Sequence, residues 1–161
     1  MKIAAKTVAA VQYNARPVGP LAVDTVVVVC AANGAYALPL AVMLRSALEH
    51  LDAAYRLHAF VIDDGIAPAD KERILTSLTP QATVSWMAPR REGFGGLPVW
   101  GRMPITTYDK LRVAELLPPE IEKAIWLDCD LLFQHDPAEL WRTDLAGRQE
   151  LMPFGRCSYH G

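Results

Sequence analysis

Cysteine is scarce in this sequence. Cys30, Cys129 and Cys157 are the three among 161 residues, far apart, with no close pair and no Cys/His cluster. That pattern excludes a disulfide framework and a structural zinc site of the usual spacing, and it suits a reducing compartment such as the cytoplasm. Long apolar runs are also lacking. The longest, Val26 to Ala32, falls far short of the roughly 20 residues needed to cross a bilayer, so no transmembrane segment is expected and any membrane contact would be peripheral. Neither sign of charge dominates: 16 basic residues face 18 acidic ones, which removes the electrostatic case for a nucleic-acid binder. Acids are missing before Asp24, and Lys2, Lys6 and Arg16 give residues 1–24 a faint likeness to a targeting peptide. Lys6 and Gln12 interrupt any apolar core of such a signal, and a loose N-terminal extension is the simpler reading.

What remains is the composition of a folded chain. Apolar residues make up 52% and charged residues 21%, which argues against disorder, and the length suits a domain of ordinary size. Thr25 to Ala32 (TVVVVCAA) is a β-branched run without alternation, the pattern of a strand covered on both faces. After the Asn33-Gly34 break, Leu40, Met43, Leu44, Ala47, Leu48 and Leu51 recur at helical spacing, with Pro39 near the first turn. The unit then repeats. Arg56 to Ile62 reads as a strand closed by Asp63-Asp64-Gly65, Pro68 to Leu78 as a helix with Ile74, Leu75 and Leu78 inward, and Ala82 to Met87 as a third strand. Such alternation predicts an α/β fold with a parallel sheet wrapped by helices. Ala88 to Pro104, rich in glycine and proline and carrying Arg90, Arg91 and Arg102, has the character of a functional loop. Thr106 and Asp109 resemble a capping box for a helix carrying Leu111, Ala114 and Leu117 and stopped by Pro118-Pro119. Lys123 to Leu127 is a further buried strand, and it ends in Asp128-Cys129-Asp130.

Those two acids are the strongest chemical signal. Ligands of open α/β sheets bind beyond the carboxyl ends of the strands, and two carboxylates one residue apart can both reach one hard divalent cation. Taken alone, such a pair more often marks a solvated strand end.

The surrounding motifs add a specific likeness. Val29 to Leu51 (VCAANGAYALPLAVMLRSALEHL), Ala59 to Pro68 (AFVIDDGIAP), Ile105 to Pro118 (ITTYDKLRVAELLP) and Lys123 to Trp141 (KAIWLDCDLLFQHDPAELW) together resemble glycosyltransferase family 8, the family of glycogenin and of lipopolysaccharide galactosyl- and glucosyltransferases. The likeness runs from about Thr25 to Gly147 and covers the N-terminal half of the family's catalytic domain. It implies a Rossmann-like fold of the GT-A type, truncated after the Asp-x-Asp strand. It also implies transfer of a hexosyl group from a UDP-sugar, with retention, assisted by Mn²⁺ or Mg²⁺. Residue by residue, Asp128 and Asp130 match the metal-binding carboxylates, the backbone at Cys129 the position facing the ribose, Ala31, Asn33 and Tyr36 the loop that holds uridine, and Lys110 a basic residue near the donor phosphates. The Asn33-Gly34-Ala35-Tyr36 turn looks closer to the glycogenin branch than to bacterial members carrying Asp-Asp-Asn-Tyr. No catalytic residue is assigned, because the family's second acidic cluster and its late metal-binding histidine are not located in this sequence.

Each residue also has a bland reading. Tyr36 could be a hydrophobic staple, Lys110 a solvated helix residue, Asn33-Gly34 a plain turn, His135 a surface loop histidine rather than a third metal ligand, and Cys129 an apolar filler. His58, within a strand, reads as structural. Residues 148–161 depart from the strand that the family would place next, so residues 25–147 are expected to form a nucleotide-sugar-binding half with a divergent tail, a fragment with little or no turnover. Two other classes stay open. One is a haloacid-dehalogenase-like phosphatase with Asp128 as nucleophile, although Leu131-Leu132 replaces that family's usual continuation. The other is a non-catalytic nucleotide-binding or interaction module. The acceptor, and the choice between UDP-glucose and UDP-galactose, are not legible.

Overall fold

The computed structural model describes residues 24–90 and 113–144. Strand β1 (Thr25–Asn33) leads through a 3₁₀ turn (Gly34–Tyr36) into helix α1 (Ala37–His50). Strand β2 (Arg56–Asp64), helix α2 (Pro68–Ser77) and strand β3 (Ala82–Met87) follow. After a short helix α3 (Val113–Leu116) come strand β4 (Ile125–Trp126) and helix α4 (Pro137–Trp141). The strands form one four-stranded sheet in the order β3-β2-β1-β4, and every pairing is parallel. The expected α/β architecture is therefore present, with β1 and β2 in the centre.

The unbroken apolar run of β1 has a direct structural cause. Val26, Val28, Cys30 and Ala32 point into a core shared with Leu40, Met43, Leu44, Ala47 and Leu48 of α1. Val27 and Val29 point the other way, into a second cluster with Phe60, against which Val113, Leu117, Ile121 and Trp126 pack. Both faces are thus covered, and an alternating pattern would have put polar groups into one core. Each of the valines, at no more than 3% exposure, contributes roughly 1.5–3 kcal/mol in transfer free energy.

The expectations for the first two helices hold with one correction. Ile74 is buried, but Leu75 is 46% exposed and does not face inward, because α2 lays only a narrow stripe on the sheet and the next residue turns roughly 100° away from it. Leu111 lies outside the described residues, as do the Thr106–Asp109 helix start, Arg91, Arg102 and Cys157. His58 is buried, stacks on Phe60 with ring centroids 4.4 Å apart, and shares a 3.0 Å hydrogen bond with the Ser85 hydroxyl. Burial pushes its imidazole down to about 4, so it stands neutral in the core, a structural residue.

Candidate functional site

The candidate site lies along the C-terminal edge of the sheet, where β1, β2 and β4 end. Asn33 closes β1, and its side-chain oxygen accepts a 3.0 Å hydrogen bond from the Ala35 amide, capping the 3₁₀ turn. The turn signal read in Asn33-Gly34 is therefore realised as a side-chain cap. A Cβ on Gly34 would stand 3.4 Å from the Gly65 carbonyl oxygen, so the turn after β1 and the turn after β2 abut closely. Gly65 itself has φ 91°, a left-handed backbone that favours glycine. Tyr36 is 44% exposed, which leaves its ring at the surface and argues against the staple reading. Ala31 is half-buried one step before the core residue Ala32.

The turn after β2 is built by Asp63. One carboxylate oxygen accepts from the Gly65 amide at 3.2 Å and the Ile66 amide at 2.8 Å, and the other pairs with Lys71. The Lys71 ammonium in turn lies 5.2 Å from the centre of the Trp86 ring, a cation–π contact. Register sets Asp64 beside Asn33.

On the other side of β1, the ladder to β4 continues as far as the Leu127 amide, which donates to the Val29 carbonyl at 2.8 Å. The chain then leaves the sheet. Leu127 and Cys129 turn inward and are buried, at 6% and 7% exposure, while Asp128 and Asp130 are exposed. Alternation thus presents both carboxylates to solvent from a backbone anchored on either side. Burial, and after it the negative charge of Asp130, pushes the Cys129 thiol up, and burial followed by Cys129 pushes Cys30 up to about 12. Both sulfurs are protonated packing groups rather than nucleophiles.

Two exposed, oxygen-donating side chains at a strand end fit a hard divalent cation, which keeps open positions for water and phosphate oxygens. Among the described residues no other His, Cys, Asp or Glu joins them in a group of three, so His135, exposed on the same segment, is not brought to them. The structure therefore brings Ala31, Asn33 and Tyr36 to the end of β1 and Asp128, Cys129 and Asp130 to the end of the strand beside it. Lys110 lies outside the described residues.

A model of the family described as "Glycosyl transferase family 8" matches residues 27–152, most of the chain. The chain belongs to this family. Among family-like proteins, General stress protein A of Bacillus subtilis (strain 168) is 27% identical over 121 residues, 74% of this chain and 42% of that protein. The galactosyltransferase LgtC, solved with donor and acceptor sugar analogues, superposes with a TM-score of 0.62 at 29% identity, covering 73% of this chain and 42% of its own. The bifunctional glycosyltransferase WbbM superposes with a TM-score of 0.64 at 18% identity, over 80% of this chain and 22% of its own, a likeness of fold alone. This family-8 chain thus has the Rossmann-like GT-A architecture and spans about two fifths or less of the length of these relatives. Family-8 glycosyltransferases use nucleotide-sugar donors. Among the described residues no helix is long and apolar enough to cross a membrane.

Sequence reasoning missed the polar groups that hold this edge in place. Asp136 caps α4 through the Ala138 amide at 2.9 Å, and it also accepts from the Asp52 amide at 3.3 Å. The Asp136-Pro137 pair is a readable helix-start signal. The Ser46 hydroxyl, in contrast, meets the Phe133 amide across 87 residues of chain, and nothing in a single sequence announces such a contact.

Proposed function

We propose that this chain forms the donor-binding half of a retaining family-8 glycosyltransferase that transfers a hexosyl group from a UDP-sugar to a glycan or lipid-linked acceptor. The observation that carries the reading is the strand-end arrangement of Asp128 and Asp130, exposed on either side of buried Cys129, beside the Asn33–Tyr36 turn at the end of the neighbouring strand. In this reading Tyr36 offers its ring to the uracil, Asn33 its remaining hydrogen-bonding capacity, and the backbone at Cys129 faces the ribose. Lys110 adds positive charge near the phosphates. Residues 1–24 and 148–161 are an extension and a tail around the unit 25–147.

Transfer breaks the bond between the anomeric carbon and the donor's β-phosphate oxygen, forms a bond to an acceptor hydroxyl oxygen and releases that hydroxyl's proton. Asp128 and Asp130 would hold Mn²⁺ or Mg²⁺, which when bound neutralises charge on the departing diphosphate. The carboxylates themselves do two things: they fix the diphosphate end of the donor relative to the uridine end, and they stay exposed and hydrated until the donor arrives. Cys30 and Cys129, both free and buried, suit reducing, cytoplasmic surroundings.

A calorimetric titration with UDP, with and without Mn²⁺, tests the reading. Metal-dependent affinity that disappears in Asp128→Ala supports it. Binding that ignores both the metal and the substitution overturns it, and complete absence of binding leaves an interaction module. The family assignment supports the transferase over the phosphatase, and a phosphoryl analogue trapped on Asp128 would reverse that order.

A further inference from the structure

Between Leu127 and Asp136 the chain has no regular secondary structure, yet it carries both acids. Among the described residues its backbone anchors are few, and the Phe133 ring rests half-buried on the core. The Leu127 amide joins β1, Cys129 enters the core, and beyond the acids the backbone is next tied where the Phe133 amide donates to the Ser46 hydroxyl at 3.1 Å. Leu131 and Leu132, between these points, are exposed at 44% and 63%, so side-chain burial does not hold that stretch.

Ser46 itself is an odd choice for its position. It lies midway along α1 and is buried at 6% exposure, where alanine would favour the helix more and carry no hydroxyl to satisfy. Its hydroxyl donates back to the Met43 carbonyl at 2.9 Å, which turns the oxygen's lone pairs towards the Phe133 amide. Helix α1 begins directly after the Asn33–Tyr36 turn. One rigid helix is therefore joined by chain to the uridine end of the candidate site and by the Ser46 hydroxyl to the segment that follows the acids.

We propose that Ser46 is a positioning residue for the acidic pair: its hydroxyl holds the 131–133 backbone so that Asp128 and Asp130 stand at a fixed distance from the Asn33–Tyr36 turn. The proposal rests on the donor-site reading above. It acts through backbone placement, so it concerns the diphosphate end of the donor and leaves the uridine end alone.

The test compares uridine with UDP plus Mn²⁺ by calorimetric titration on the full 161-residue chain, in the wild type, Ser46→Ala, Ser46→Thr and Asp128→Ala. Ser46→Ala leaves the Phe133 amide without its acceptor and is expected to weaken UDP–Mn²⁺ binding on the order of tenfold while uridine affinity stays unchanged. Ser46→Thr, which restores a hydroxyl, recovers most of the loss. Should Ser46→Ala fail to fold, Ser46→Cys keeps the volume with a poor acceptor and shows the same split. Unchanged UDP–Mn²⁺ affinity in Ser46→Ala, with Asp128→Ala defective, overturns the positioning role. Equal weakening of uridine and UDP overturns it too, because Ser46 would then merely support the fold. If Asp128→Ala binds like the wild type, the donor-site reading fails first, and the role of Ser46 with it.

Discussion

In β1 and β2, almost every side chain from Thr25 to Ile62 that lies in a strand is buried, and the two strands are bonded to each other, and β2 to β3, through long, regular registers. From Leu127 to Thr143, among the described residues, the chain makes one ladder bond, sinks Leu127, Cys129, Pro137 and Ala138, rests Phe133 and Trp141 half-buried on the core, and is tied by isolated polar contacts to Ser46, Asp52, Tyr55 and Lys123. The first region is held by apolar area, which is non-directional and tolerant of small shifts. The second buries less and relies more on a handful of directional bonds, which fix position with little buried surface. The chemistry of the candidate site is divided between them. The Asn33–Tyr36 turn sits on the rigid region and the acids on the tied one, so under the proposed reading stability and donor binding are expected to respond to different substitutions.

The largest stability effect belongs to the rigid region. Phe60→Ala removes a ring that is 2% exposed at the junction of β1 and β2, and unfolding in urea should show a loss of about 3–5 kcal/mol. Phe133, partly buried against the same protein's other core face, should cost well under that when cut to alanine. If the two losses were equal, the contrast between the regions would collapse.

The next effect is one of pH. His58 is neutral in the fold because burial lowers its pKa to about 4, whereas the unfolded chain titrates it near 6.5. The unfolded state therefore binds the extra proton, and stability is complete above pH 6.5 and falls as pH drops from there towards 4. Between pH 7 and pH 5 the expected loss is roughly 2 kcal/mol, read from denaturation midpoints. His58→Phe should abolish that slope. A slope that survives the substitution would assign it elsewhere.

Asp136→Ala comes third. It uncaps α4 and frees the Asp52 amide, and a loss of about 1 kcal/mol is expected in the same urea experiment. A loss as large as that of Phe60→Ala would mean that the tied region carries the fold rather than resting on it.

The same contrast governs what was legible in the residues. Strand and helix positions in the first region follow from apolar patterning alone, because burial writes itself into an unbroken run where both strand faces are covered and into every third and fourth residue of a helix: the β1 run and the α1 stripe both match the structure. Leu75 shows the limit, since a helix edge and a helix face differ by one position. In the tied region only the Asp136-Pro137 cap and the Leu-Asp-x-Asp ending are local signals. Ser46–Phe133 and the Arg142 cluster with Tyr55 and Asp52 join residues 87 and more apart, and directional bonds between distant residues leave no period to read.

The smallest expected effect on stability is also the sharpest test of the division. Asp128 is exposed, and its neighbours Leu127 and Cys129 supply the anchoring, so Asp128→Ala should change unfolding free energy by no more than about 0.5 kcal/mol. Removing a carboxylate from beside Asp130 also relieves like-charge repulsion between exposed acids, which pushes the small change towards stabilisation rather than loss. The same substitution should remove Mn²⁺-dependent UDP affinity, read by titration on the same sample. A variant that melts like the wild type and no longer responds to the metal separates the two regions by function. A variant that loses several kcal/mol would instead mean that the acids belong to the scaffold, and that the strand end was built for packing.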